Sequence, residues 1–322
     1  MHSESAQLSF FSTADEVIEK TVSAIRELDF DRARRELETA ARIDPCLAHI
    51  ETWRKIVTLF YAGFSGGQPG DALAALWHTV AENVENGHWL PSEAQFADRE
   101  IAEIAFRHLG NVKGFLDSDQ TLHAGSLLAA RGLYQEAGKA LIDTLTGGHA
   151  DRADLWSVYA ETLRVLGRPV ESRNALLRAL VLDPFHIDLF RLRLPELQSL
   201  YVRVRMQYTP AESRALLFFY GWLDGLWPIS LLGRPGGIRT EDIQKRLEQA
   251  SGEEHTDRFR RFGLYCYRDQ MLDSGRIDIE ARQQMMDSAP DLFRLYLKKV
   301  DEKQSELFTA SRREPRNDST VP

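Results

Sequence analysis

Cysteine is scarce in this 322-residue chain. Cys46 and Cys266 are far apart and have no Cys-x-x-Cys spacing. That excludes a disulfide framework and a zinc knuckle and suits a reducing compartment, so a cytoplasmic location is expected. Long apolar runs are missing too. The longest, Ala215–Leu223, is about half of what a bilayer span needs. The opening MHSESAQLSFFSTADEV has no basic stretch leading into an apolar one, so no secretory signal is expected. Catalytic signatures are absent as well: the nine histidines are scattered, with no HExxH or GxSxG. His108 follows Glu103 by five residues and Glu100 by eight, a poor fit to one helical face. No catalytic residue, metal ligand or cofactor is assigned.

A cationic surplus is missing from the first half. Residues 1–152 carry 14 Lys/Arg against 23 Asp/Glu, a net of −9, whereas 153–322 carry 26 against 25, for −8 overall. An acidic half is a poor surface for nucleic acid, whose binding is dominated by phosphate neutralisation. The 43% hydrophobic and 27% charged residues fit a folded protein rather than a disordered one.

What is present is a repeat. Ala153 to His186 reads ADLWSVYAETLRVLGRPVESRNALLRALVLDPFH. Trp156, Tyr159 and Leu163 recur at helical spacing with Ala160 among them, and Gly167 interrupts. Ser172, Leu176 and Ala179 then share one face before Pro184 ends the pattern. Large residues fill the space between two antiparallel helices and small ones let them approach. Glycine permits the turn, and proline stops the second helix. Residues 14–47 place Phe30, Ala33, Leu37, Ala40 and Pro45 in matching slots. Residues 118–152 do so with Gly125, Leu128, Gly132, Tyr134, Ala137 and Leu141. Starts at 14, 118 and 153 fit a period near 35. Residues 48–117 hold two degenerate units, with helices expected over about 49–63, 71–86 and 92–109 and FSGGQPG (64–70) in place of a short turn.

Over residues 14–186 the chain resembles the tetratricopeptide repeat family, on Trp156, Ala160, Gly167, Ala179 and Pro184 above all. The departures are Val17, Thr21, Thr144 and His149, which stand where the family usually has an aromatic residue, a small residue, Ala and Pro. The resemblance implies an all-α fold, an α-solenoid of antiparallel helix pairs with a concave face that holds a segment of another protein. It places Ile18, Val22, Arg26, Leu122, Ser126, Ser157, Glu161 and Arg164 on that face. The lysine–asparagine clamp of chaperone-tail readers is not there, since its places hold Ile18 and Val22, Leu122 and Ser126, Ser157 and Glu161.

The resulting organisation is an N-terminal extension (1–13), repeats (14–186), a C-terminal helical region (187–308) and a disordered tail (309–322). FRLRL (190–194) and YVRVR (201–205) alternate apolar and basic residues, as short strands do, but a helix starting at Pro195 fits a helical chain better. Arg191, Arg193, Arg203 and Arg205, beside Tyr201 and Tyr208, can meet RNA by charge and stacking, or pair with the acidic first half. Thr209 and Pro210 open another helix. Two more are expected over 255–272 and 279–307, the latter broken near Pro290. The loop SLLGRPGGIRT, with Arg234, Gly236, Gly237 and Arg239, can cradle an anion at a helix N-terminus, though it lacks P-loop spacing. Cys266 lies among aromatic residues and is expected to be inert core. The function expected is therefore a protein-interaction scaffold: an adaptor, or an assembly, chaperone-type or targeting factor. The alternatives are an enzyme or small-anion binder at the glycine-rich loop, and a self-assembling array that forms homo-oligomers.

Overall fold

The computed structural model describes residues 16–47, 49–64, 68–110, 112–227, 238, 240–252, 254–272 and 276–311; the side chains of Thr240 and of 303–311 are outside that description. Within it the fold is all-α. Among the described residues there is no strand, only an isolated antiparallel bridge between Phe115 and His123. No described helix is long and apolar enough to cross a membrane.

The chain divides into two compact units. The first contains residues up to Asp151, Leu155–Ser172 and Asp188–Arg193; the second contains Arg152–Asp154, Arg173–Ile187 and the chain from Leu194 onward.

In the first unit, α1 (residues 16–26) is followed by α2 (Phe30–Ile43), α3 (Ile50–Gly63), α4 (Pro69–Glu85), α5 (Pro91–His108), α6 (Ala124–Ala130) and α7 (Tyr134–Thr146). Most of α8 (Ala153–Val165) belongs to it too. Neighbours in sequence are neighbours in space: α2 packs on α3, α3 on α4, α4 on α5, α5 on α6 and α6 on α7. Proline at the first helical position opens α4 and α5, where its missing N–H costs nothing. The FSGGQPG stretch therefore ends inside a helix, since Pro69 and Gly70 form the first turn of α4. The core runs through Ile25, Phe30, Ile56, Phe60, Leu73, Leu76, Ile101 and Ile104. Ala33, Ala40, Ala137 and Ala160, the small residues of the repeat, are fully enclosed. Gly132 and Gly167 adopt φ of 79° and 76°, a conformation that strains any side-chain-bearing residue.

One stretch departs from helix pairs. Residues 109, 110 and 112–123 are irregular, and α6 begins at Ala124, six residues after Ser118. Asp117 explains the delay. Its carboxylate accepts from the backbone N–H groups of Thr121 (2.9 Å) and Leu122 (2.8 Å) and from the Thr121 hydroxyl (2.8 Å), a local turn that competes with helix. His123 then caps α6, accepting from the Gly125 N–H at 3.0 Å through Nδ1. Its Nε2 lies 2.9 Å from Thr144 Oγ1, so Nε2 carries the proton and donates it to Thr144. This gives Thr144, in a slot where alanine is expected, a structural task.

The second unit contains α9 (Pro169–Leu182) from Arg173 on, a short 3-10 turn (Pro184–His186), α10 (Pro195–Arg205), α11 (Pro210–Leu223), α12 (Thr240–Gln249), α13 (His255–Gln270), α14 (Ile279–Ser288) and α15 (Pro290–Ser311). YVRVR is helical within α10, whereas Leu189–Arg191 form a turn. Thr209 caps α11 with Glu212 in a reciprocal capping box. α11 packs on α10 and α13, and α13 on α12 and α14. Their core is aromatic: Phe219 meets Phe262 edge-to-face at 4.9 Å, and Trp222 stacks on Tyr296 at 5.2 Å. Buried Asp269 ties the last helices together, accepting from Tyr296 Oη, from Arg282 Nε (2.9 Å) and from the Asp278 N–H (2.7 Å).

Candidate functional site

The acids of α5 organise the first unit. Its sequence, PSEAQFADREIAEIAFRH, carries four carboxylates that each meet a cation from another segment. Glu93 pairs with Lys55 of α3 at 2.9 Å and also accepts from the Leu90 N–H at 2.7 Å. Burial pushes its pKa up, but these donors outweigh it and hold the group below the usual carboxylate range. Glu100 takes Arg26 of α1 in a two-bond fork, at 2.7 and 2.9 Å. Glu103 takes Arg131 at 3.0 Å. Asp98 takes Arg191, again through two bonds, at 2.8 and 3.0 Å.

Asp98 is the starting point of the candidate site. It is buried, and burial lifts its pKa to about 6 although Arg191 pulls the other way. Arg191 also donates to the Trp77 carbonyl at 2.8 Å, lies 4.0 Å above the Trp77 ring and contacts Asp188 at 3.0 Å. Stacking on an indole while forking onto a carboxylate uses the planar guanidinium in a way that lysine cannot. Two residues on, Arg193 reaches the Tyr134 hydroxyl at 3.2 Å and Glu161 at 3.9 Å. Its own carbonyl accepts from Arg164 Nη1 at 2.6 Å. Glu161 is raised to about 7, by burial first, with Arg193 opposing. Between and beside the arginines, Leu189 and Leu192 are buried, and Phe190 packs against the main core. Six residues of the chain, Asp188–Arg193, are thus seated on a surface made by Trp77, Asp98, Tyr134, Glu161 and Arg164.

The residues that the repeat resemblance assigns to a groove are split by the structure. Glu161 and Arg164 meet at the seated segment. Arg26 is committed to Glu100. Leu122 and Ser157 are buried, Ser126 is half-buried, and Ile18 and Val22 pack against the core. Trp77, Asp98 and Tyr134 are additional members; Tyr134 stands in the repeat pattern only as a packing residue, and all three are recognisable as members once Arg191 and Arg193 are seen to land on them.

Of the four candidate RNA-contacting arginines, Arg191 and Arg193 are held as described, Arg203 pairs with Asp224, and Arg205 donates to the Tyr208 carbonyl at 2.8 Å. His108 bonds the Arg26 carbonyl at 2.8 Å. Cys266 is fully buried. Arg234, Gly236, Gly237 and Arg239 lie outside the described residues. Among the described residues no group of three or more His, Cys, Asp or Glu is placed to hold a metal ion. Comparison with protein-family models, with curated proteins and with solved structures gives no match to this chain.

Proposed function

We propose that the protein is an interaction scaffold of the tetratricopeptide-like, helical-repeat type, an adaptor or an assembly or targeting factor working in the cytoplasm. Its helical face in the first unit holds an extended segment of a client protein. The observation that carries this reading is Asp188–Arg193, a short non-helical stretch held on that face by paired carboxylates, an indole and buried leucine contacts. A surface that seats one non-helical segment has the depth and the polar partners to seat another.

The test is affinity purification of the tagged chain from its native cell, alongside a Glu161→Lys/Arg164→Glu variant. A near-stoichiometric protein recovered with the first and missing from the second, at equal thermal stability, supports the role. Loss of binding together with loss of fold, or a chain recovered alone in both cases, counts against it.

A further inference from the structure

We infer that Asp188–Arg193 is a resident ligand of this face, and that the client carries a segment of the same chemistry: two arginines two residues apart, with leucine between and before them. Under the scaffold role proposed above, this names the ligand class. The segment is set apart by its membership, because it belongs to the first unit while the residues on both sides, Arg173–Ile187 and Leu194 onward, belong to the second. Its hold is built from side chains that read its composition. Asp98 and Trp77 together accept a planar cation at the first arginine. Tyr134 and Glu161 accept a second cation two residues later. Arg164 grips the backbone by its carbonyl. Burial of Leu189 and Leu192 sets the apolar requirement.

The two ends of the seat are unequal, and this is what admits a competitor. Arg191 is 15% exposed and makes short bonds, whereas Arg193 is 49% exposed and stands 3.9 Å from a nearly buried carboxylate. Glu161 is held by the Arg193 backbone N–H, while the Arg193 side chain stays 3.9 Å away, so a client arginine that approaches to bonding distance makes a charge-assisted bond that the resident side chain does not. Displacement starts at the Arg193 end and proceeds toward Arg191. The acidic first half of the chain, net −9 over residues 1–152, favours approach of a basic segment.

The probe is a fluorescent peptide of sequence IDLFRLRL, residues 187–194, titrated by anisotropy against the full chain. Wild type, with its site occupied from within, binds it most weakly. R193A removes a half-exposed side chain and keeps the fold, and it is expected to bind about tenfold tighter because a larger fraction of its sites is open. R191S/R193S binds tighter still. Adding Glu161→Gln to R193A abolishes the gain, and the peptide IDLFSLSL binds to none of them. R193A binding no tighter than wild type overturns the inference, and so does binding that ignores the peptide's arginines. If R191S/R193S does not fold, which circular dichroism and a melt will show, R193A decides alone. A client recovered from cells by the wild-type chain, with the peptide silent in every folded variant, overturns the arginine ligand and leaves the scaffold role standing.

Discussion

Burying Asp98 against Arg191 takes two charges out of water, and the loss is offset by the two-bond fork between them, the bond to the Trp77 carbonyl and the nearby Asp188 carboxylate. Glu161 is in a less complete environment and therefore titrates in an accessible range. Its carboxyl has an ordinary value of 4.5 and is raised to about 7 in the fold, chiefly by burial. The folded chain thus binds this proton more tightly than the unfolded one. The stability it contributes is full below about pH 4.5 and is lost as pH rises through about 7. Relative to Glu161→Gln, wild type is expected to lose up to about 3 kcal/mol between pH 4.5 and pH 8, at about 1.4 kcal/mol per pKa unit. Groups shifted the other way, such as Glu93, are common to both proteins and cancel in the difference. Paired urea titrations across that range check it, and a difference that stays flat with pH contradicts the burial of Glu161 as its cause.

At the scale of elements, α4 and the irregular stretch 112–123 depend on one another through Gly70. A Cβ at that position collides with the Leu116 carbonyl oxygen, which is backbone and cannot rotate away. Gly70→Ala is therefore expected to destabilise the chain by about 2 kcal/mol, even though alanine is the better helix former. A denaturation series comparing it with Gly87→Ala separates packing from backbone strain, because Gly87 has φ of 73° and open space around it. Equal losses at the two positions contradict the collision. This contact also marks the limit of what the sequence makes legible. Helix starts at Pro195, Pro210 and Pro290 and the turn at Gly167 are local events, set by a ring without an N–H or by a missing Cβ, and they stand where the residues put them. The helix missing from the start of the third unit, 118–123, is also local in origin, but its cause is a single side chain, Asp117, turning back on the backbone, and a period near 35 gives no hint of that. The site was half visible. Glu161 and Arg164 follow from the repeat register, and alternation in FRLRL marks Arg191 and Arg193 as unusual. That these land on Asp98 and Trp77, 93 and 114 residues earlier in the chain, is a property of the tertiary fold, and no spacing rule reaches it.

For the whole molecule, the uneven charge converts into a dependence on salt. Some acids of the first half are paired with cations, among them Glu93, Asp98, Glu100 and Glu103, yet the half retains a net of −9 against +1 for the remainder. A peptide bringing two arginines to Asp98 and Glu161 is therefore drawn by a field as well as by contacts, and the field is screened over about 10 Å at 0.1 M salt and about 3 Å at 1 M. The buried bonds to Asp98 and the stack on Trp77 are shielded from that screening; the loose, half-exposed pair at Glu161 is not. Binding of IDLFRLRL to R193A is accordingly expected to weaken by about tenfold between 50 mM and 500 mM sodium chloride, through slower association more than faster release. Stopped-flow anisotropy at the two salt concentrations separates these rates. A dissociation rate that carries the whole effect means that the cation is held by surface pairs alone, and the seat at Asp98 and Trp77 is then not what the peptide occupies.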